Sequence, residues 1–464
     1  MASFPSKGRV LMIAPTSFFS DYGCHVRILE QARGIKGRGY QVTLCTYHRG
    51  RDLPELTIRR TPAIPWRCGA EVGSSWHKLI LDIFLFWLAL YTACYERPTL
   101  IHAFLHEGAL IGIIVGRLLR IPVIFDFQGS LTSEMVDHAF LSPHSLFFRP
   151  LLWLERWLDH QPAIILANSH HSAGLLWRKF GVSPARIRVV PDCVDTERFR
   201  PPLVGYPGRR QTSSPTSSGR IMEAGPPTFL SRHISGEAGL PSSSIRQSFG
   251  IPTDALVLVY LGLLAPYQGI DLMLRAMQLF PPSLKVHLLL MGFPNVRRYE
   301  QMAVRLKVAD RVTFTGRVPY EEAPRMLAMG DIALAPKISA TEGSGKLLNY
   351  MAMGLPTVAF DTPVSREYLG DAGVFAPAGD WRKLAECIAY LASHPAERAR
   401  RGGQLRDRAV AHFRPEDIAR RIEATYQTVC KVDDIHAIMS PTTMACTLTP
   451  AAIVDEVAGR NDLA

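Results

Sequence analysis

No C-x-x-C pair occurs among the eight cysteines, Cys24, Cys45, Cys68, Cys94, Cys193, Cys387, Cys430 and Cys446. That spacing excludes a zinc ribbon, speaks against a secreted disulfide framework, and points to a reducing compartment. No two aspartates stand as D-x-D, so a Mg²⁺-bridged diphosphate site has no obvious ligands. G-x-S-x-G and H-E-x-x-H are also missing, which leaves triad hydrolases and zincins without support. The longest uncharged apolar run, Ile83 to Tyr95, is shorter than the ~18 residues that mark a membrane span. Lys7, Arg9 and the apolar run from Val10 faintly imitate a signal peptide, but no small-x-small cleavage site follows, so this segment reads as a first strand.

What is present is ample apolar material, 47% of 464 residues, enough for two or three domains with buried cores. The net charge is +11; residues beyond Cys430 carry a net −3, which leaves about +14 on the remainder. Nucleic acid, an anionic membrane surface or phosphorylated substrates would each match that excess. Nucleic acid is the weakest of the three, since zinc-finger spacing, an aromatic RNP pattern and dense Lys/Arg runs are all lacking.

Short Val/Ile-rich runs alternate with helical stretches over residues 9–198. The expected strands are Arg9–Ala14, Gln41–Thr46, Leu100–Ala103, Pro122–Asp126, Ile164–Asn168 and Ile187–Pro191. They are apolar on both faces, as strands of a helix-covered parallel sheet must be. Residues 203–245, rich in Ser, Pro, Gly and Arg, read as a disordered insertion. A second alternation follows, with strands expected at Ala255–Gly262, Leu284–Met291, Val312–Phe314, Ile332–Pro336 and Thr357–Asp361. Between the first two, a helix over Asp271–Phe280 places Leu272, Met273, Ala276 and Leu279 on one face. Arg414-Pro-Glu-Asp417 signals a last helix to about Cys430, and 431–464 reads as a loose tail. The fold class is therefore α/β, with two doubly wound Rossmann-like units: 1–198 and 251–413, a linker over 199–250 and a final helix over 414–430.

Glu342-Gly-Ser-Gly-Lys346 first suggests a phosphate-binding P-loop. Ala340 and Leu347 stand where that motif needs Gly and Ser or Thr, so the reading fails. A glycine turn entering a helix still offers backbone N–H groups to an anion, and it is equally an ordinary strand-to-helix turn. His102 and His106, four residues apart, would make a metal pair only with a third ligand, and none is evident. His170-His171 opens a helix and reads as capping or solvated. Trp76–Tyr95 is very apolar, and Phe147, Phe148, Arg149, Trp153, Arg156 and Trp157 crowd a later helix. Such side chains are either core or a membrane-interface face.

Two Rossmann-like halves with a linker and a final helix resemble the GT-B glycosyltransferases, within them the retaining "glycosyl transferases group 1" type. The resemblance covers about 9–198 and 251–430. It rests on Glu342-Gly-Ser-Gly-Lys-Leu-Leu-Asn-Tyr-Met-Ala-Met-Gly-Leu-Pro-Thr-Val-Ala359, with Glu367 and Asp371-Ala-Gly373 after it. Pro191-Asp-Cys-Val-Asp195 is similar to the family's Pro-x-Gly-Val-Asp segment, and Gly262…Gly269-Ile-Asp271 to its phosphate loop. The resemblance implies a nucleoside-diphosphate sugar as donor substrate, no cofactor and no metal. By this resemblance Glu342 faces the transferred sugar and Gln128 stands where many relatives have a catalytic-site His. Gly262, Gln268, Gly269, Gly343, Ser344, Gly345 and Lys346 would hold the diphosphate. Asn349 would take the ribose, Arg317 and Val318 would frame the base, and Gly23 would form the turn near diphosphate and acceptor.

Several positions depart from the family. Leu263 and Gln268 replace the Arg and Lys common in the first phosphate loop. Asn349 stands where Glu is common, one residue nearer to Glu342 than usual, and Gln128 offers an amide in place of an imidazole. These departures define either a donor-site variant or a weakened enzyme. The expected function is transfer of a sugar to an acceptor such as a lipid-linked or envelope glycan. The alternatives are a sugar-nucleotide epimerase or hydrolase, or a weakly catalytic scaffold that binds sugar nucleotide or membrane. The expected location is cytoplasmic, with reversible contact at the inner face of an anionic membrane.

Overall fold

The computed structural model describes residues 7–63, 78–137, 140–201, 242–339 and 343–438. Most of the inserted stretch 203–245 lies outside the described residues, as do Glu342 and the tail beyond 438.

The first half forms a seven-stranded parallel sheet. Its strands are β1 (Arg9–Ala14), β2 (Gln41–Thr46), β3 (Thr57–Arg60), β4 (Leu100–Phe104), β5 (Val123–Phe127), β6 (Ile164–Ala167) and β7 (Ile187–Val189), in the order β3-β2-β1-β4-β5-β6-β7. The second half forms a six-stranded parallel sheet from β8 (Leu256–Leu261), β9 (Val286–Met291), β10 (Val312–Gly316), β11 (Ile332–Ala335), β12 (Thr357–Phe360) and β13 (Val374–Ala376). Its order is β10-β9-β8-β11-β12-β13. The strand order reverses between β1 and β4 and again between β8 and β11. At such points neighbouring loops diverge to opposite faces and leave a crevice at the carboxyl ends of the strands.

Two strands, β3 and β13, were not expected from the sequence. Both are sheet edges of only four and three residues, and β3 (Thr-Ile-Arg-Arg) is only half-buried, so neither needs the two-faced apolar pattern of a central strand. The predicted helix over Asp271–Phe280 runs instead over Ile270–Met277. It ends before Leu279, which is left exposed, ahead of Pro281. The second unit begins before residue 251: a helix at Ser242–Ser248 buries Ile245, with Phe249 and Ile251 behind it. Arg246 of this helix reaches Asp331 and the Met329 carbonyl, both at 3.0 Å. The apolar run at Ile83–Tyr95 belongs to a 19-residue helix, Lys78–Glu96, long and apolar enough to cross a membrane by length and composition. Asp82 interrupts its apolar sequence, but the carboxylate is turned to the Tyr47 hydroxyl at 2.6 Å. The inner face of the helix, Leu81, Leu85 and Ala89, is buried in the core of the first sheet.

The last helix, Pro415–Ile438, extends past the expected end at Cys430 and takes 431–438 out of the presumed loose tail. No glycine or proline intervenes before Pro441 to stop it. It crosses back onto the first half. Glu423 pairs with Lys7 at 2.7 Å and also with Arg38, and the Tyr426 hydroxyl lies 2.6 Å from His102 Nδ1. The first-half helix Gly23–Gly37 meets it at Gly34, where a Cβ would lie 2.9 Å from the Ala419 Cβ. One apolar cluster therefore runs from the first sheet through Val194 and Phe199 into the second half and back to Ile422 and Tyr426. Replacing Gly34 with Val should push the last helix off its seat and cost ~1–3 kcal/mol of stability. Thermal denaturation should show a lower midpoint for Gly34→Val than for the parent chain, with Gly37→Val, where a Cβ meets nothing, as the control.

Candidate active site

A cleft of about 250 Å³ opens between the two sheets, lined by the loops that follow β1, β5, β7, β8, β9 and β11. On the first-half side, the loop after β1 leads into the helix that starts at Gly23 with no side-chain cap. His25 holds this loop from behind. Burial, with the positive charges of Arg317 and Lys78, pushes its imidazole well below its usual range, so the ring is neutral. Its Nδ1 accepts from the Ser20 N–H at 2.8 Å, which leaves Nε2 as the donor toward Thr16 Oγ1.

Gln128 follows β5. Its carbonyl accepts from Asn168 Nδ2 at 2.8 Å, and its own Nε2 is buried with no partner among the described residues. The next turn opens the helix Leu131–Asp137, whose first N–H groups are received by Glu155: Leu131 N at 2.8 Å and Thr132 N at 3.0 Å. Asp192, after β7, joins Asp126 of β5 in holding Arg27. Arg27 Nε and Nη2 donate to the two Asp126 oxygens at 2.9 and 2.8 Å, and Nη1 donates to Asp192 Oδ1 at 2.8 Å. Burial pushes the Asp126 carboxyl up, but Arg27 outweighs it and holds the group below the usual carboxylate range.

The second-half side adds two lysines to the Arg27 and Lys78 of the first half. The turn Gly343–Gly345 opens the helix Gly345–Ala352, which has no side-chain cap, and the Ser344 hydroxyl is buried without a partner among the described residues. A Cβ at Gly343 would lie 2.8 Å from Asn168 Nδ2 and 3.1 Å from Asp192 Oδ2, so glycine lets the turn press against the first half. Lys337, just past β11, donates to the Gly343 carbonyl at 3.0 Å and is only 5% exposed. Lys346 Nζ turns back to the loop after β8, 2.6 Å from Gln268 Oε1 and 2.9 Å from the Tyr260 hydroxyl, with the Tyr260 ring centroid at 4.3 Å.

Gly23, Gln128, Gly262, Gln268, Val318, Gly343, Ser344, Gly345, Lys346 and Asn349 thus all line one cleft. Two predicted site residues do not. Arg317 is drawn across the cleft by Asp21, with Nη2 2.8 Å from Oδ2, and it lies over the Phe293 ring at 5.0 Å. Gly269 backs onto β11: its φ is +75°, and a Cβ there would meet the Pro336 carbonyl oxygen at 2.1 Å. The predicted residue Glu342 lies outside the described residues. Sequence reasoning missed Lys337, Arg27, Asp192 and Asn168. Lys337 was within reach, since it directly follows a strand whose carboxyl end faces the crevice. Arg27 carried no local signal, because its partners lie 99 and 165 residues away.

His102 and His106 do not converge, because one sits in β4 and the other in the helix Leu105–Leu119. His106 instead faces Glu155 and Asp159, with Nε2 3.7 and 3.6 Å from their oxygens. These three buried side chains form the one group among the described residues whose ligand atoms lie close enough for a metal ion. They lie behind the Gln128 loop and not among the residues that line the cleft. At His170-His171 the capping groups are Ser169 and, from the second half, Glu367, which accepts from the His170 N–H at 2.9 Å.

Two doubly wound parallel sheets that meet at a shared crevice define a GT-B architecture. Residues 242–408 match the family described as Glycosyl transferases group 1, and residues 23–198 match Glycosyltransferase Family 4. The chain thus carries a Glycosyl transferases group 1 domain in its second half and a Glycosyltransferase Family 4 domain in its first. It is similar to D-inositol 3-phosphate glycosyltransferase of Thermomonospora curvata, 25% identical over 416 residues, covering 84% of this chain and 86% of that one. Among solved structures, sucrose-phosphate synthase from Thermosynechococcus elongatus superposes with a TM-score of 0.73 at 16% identity, covering 92% of this chain and all of the other. Anabaena HepE, solved in complex with UDP and glucose, superposes with a TM-score of 0.68 at 16% identity, covering 91% of this chain and all of the other.

The His106 cluster yields a pH signature. Burial lowers the imidazole, but Asp159 and Glu155 outweigh it and raise it to about 9. A raised folded value stabilises fully below the unfolded value of ~6.5, and that contribution is lost as pH rises through about 9. The melting temperature should therefore fall between about pH 7 and about pH 10, with up to ~3 kcal/mol at stake. His106→Gln should flatten that slope, as thermal melts across the pH series would read.

Proposed function

We propose that the protein transfers a sugar from a nucleoside-diphosphate sugar to an acceptor hydroxyl with retention of anomeric configuration. The observation that carries this reading is the meeting, in one cleft, of an uncapped helix start at Gly345, the ammonium groups of Lys337 and Lys346, and the Gly23 turn of the opposite half. A diphosphate leaving group develops negative charge as the sugar–phosphate bond breaks. Preorganised N–H dipoles and ammonium groups stabilise that charge without an ion. Lys346 lies where the loop after β8 lacks its usual cations, with its ammonium on Gln268. Gln128 Nε2, which has no partner among the described residues, would donate to a sugar hydroxyl, and Asn349 would take the ribose. Glu342, next to the Gly343 turn in sequence, would face the anomeric carbon. The leaving phosphate would accept the proton of the incoming hydroxyl on the same face of the sugar, which is what retention requires of such a site.

The second half serves as the donor side and the first half as the acceptor side. HepE was solved with UDP and glucose, which makes UDP-glucose the first donor to try beside GDP- and ADP-sugars. The name of the Thermomonospora relative makes an inositol phosphate the first water-soluble acceptor to try. A cytoplasmic enzyme that visits the membrane for a lipid-linked or envelope acceptor accords with the positive balance of the chain.

Transfer to acceptor, with the product anomer read by NMR, distinguishes a transferase from a hydrolase or epimerase. Lys346→Met should weaken nucleotide-diphosphate binding by ~1.5–3 kcal/mol, roughly ten- to a hundredfold in Kd by calorimetry. Glu342→Gln should leave that Kd nearly unchanged and lower kcat by on the order of a hundredfold or more. Activity should survive EDTA, because helix termini and lysines supply the charge; a strict need for added Mg²⁺ or Mn²⁺ would overturn this placement of the diphosphate.

A further inference from the structure

On a helix that covers a parallel sheet, one face is buried and the other is expected to be polar. The helix Lys78–Glu96 departs from this. Ile83, Trp87, Tyr91 and Tyr95 follow each other at four-residue spacing on its outer side, with Ile80 and Phe84 beside them, and all six are exposed. Ile83 and Trp87 are 59% and 61% exposed. No charged residue is exposed on this helix, and its one interior acid, Asp82, points inward to Tyr47. The neighbouring helix Leu105–Leu119 adds exposed Ile114 and Leu118, and the helix Phe148–Asp159, which packs beside it, adds Trp153 at 66% exposure. The exposed charges on these last two helices, Arg117, Arg149 and Arg156, are all positive, while Glu155 and Asp159 are buried.

We infer that this outer face, centred on Ile83, Trp87 and Tyr91, is the surface by which the protein docks on an anionic lipid bilayer beside the mouth of the cleft. Apolar patches of this extent mark interaction sites. The aromatic rings beside arginines match the boundary between headgroups and acyl chains. A second copy of this chain is a poorer fit, since a two-fold contact would set arginine rims of like charge against each other. The helix lies on the bilayer and does not cross it, because Leu81, Leu85 and Ala89 on its other side are core of the first sheet. Lys78, its first residue, lines the cleft. The bilayer surface therefore meets the cleft at the start of this helix, and an acceptor carried on a lipid headgroup enters without leaving the membrane. That last step rests on the transferase reading; the docking itself does not.

The test compares the full chain with an Ile83→Glu/Trp87→Glu double variant in sedimentation with phosphatidylglycerol-containing vesicles and with phosphatidylcholine vesicles alone. Both side chains are exposed, so an unchanged thermal midpoint is expected. The parent chain should pellet with the anionic vesicles, more weakly at high salt but not to zero, because the apolar contact is unscreened. The double variant should bind on the order of tenfold less. Should the double variant fold poorly, Trp87→Ser against the parent chain, read by quenching with brominated lipid, replaces it: a quenched component lost with Trp87 is expected. A parent chain that stays in solution with both vesicles, a variant that pellets as well as the parent, quenching unaffected by Trp87→Ser, or a concentration-dependent dimer abolished by the substitutions would each overturn the inference. Nucleotide binding, measured in parallel, should be equal in parent and double variant. Its absence from both, with vesicle binding intact, would count against the transferase reading alone.

Discussion

Arg27 sits with almost no contact with solvent between two carboxylates, and most of the cleft is arranged around it. It joins the helix after β1 to Asp126 of β5, to Asp192 after β7 and, through the Val190 carbonyl at 2.9 Å, to the end of β7 itself. Gln31, one turn later on the same helix, donates to Asp126 at 2.8 Å. A buried guanidinium with two carboxylates is tolerated only if every member keeps its partners. That requirement fixes the carboxyl ends of β5 and β7 relative to the Gly23 turn. Asp192 then carries the constraint into the second half: it accepts from the Tyr368 hydroxyl at 3.3 Å and stands under Gly343. The Gly343 turn is thus seated on a charge network rooted in the opposite sheet.

The same logic explains how the cleft keeps positive charge beside an uncharged loop after β8. The loop after β8 presents Leu263 and Gln268, neither charged. Lys346, from the start of the helix at Gly345, folds back over Tyr260 and donates to Gln268, so that an ammonium stands at that loop although the loop's own sequence has none. Lys337 approaches from β11 and binds the Gly343 carbonyl. Both lysines belong to strand-to-helix connections at the switch point of the second sheet, where loops from non-neighbouring segments must meet. Charge at such a place is a property of the crevice, and its source along the chain is exchangeable.

Much of the fold was legible because burial on both faces forces a local pattern. The central strands β1, β2, β4 to β6, β8, β9, β11 and β12 are mostly apolar and buried along nearly their whole length, and their ends fell within two residues of expectation. What failed did so where burial was weak or local pattern was irrelevant. The edge strands β3 and β13 have one neighbour each and need few apolar residues. The helix at Ser242–Ser248 begins in a Ser-rich stretch and is held by Ile245, Phe249 and one arginine. The extension of the last helix beyond Cys430 needed only the absence of a stop.

The sequence by itself determined the two α/β units and their family likeness, because these rest on short-range order: strand runs, turn glycines and a contiguous motif. Only the tertiary structure decided which residues share the cleft and which do not. Arg317 was taken by Asp21 and Gly269 by Pro336, while Lys337, Arg27, Asp192 and Asn168 entered unannounced. Tertiary structure also decided that the apolar side chains of Lys78–Glu96 divide between a core face and an open one, a distinction that composition cannot make because both faces have the same chemistry. For Arg27 and Arg317 the reason is separation along the chain. Their side-chain partners lie 99 to 296 residues away, and in such pairs the local sequence carries no information until the sheets bring the ends together.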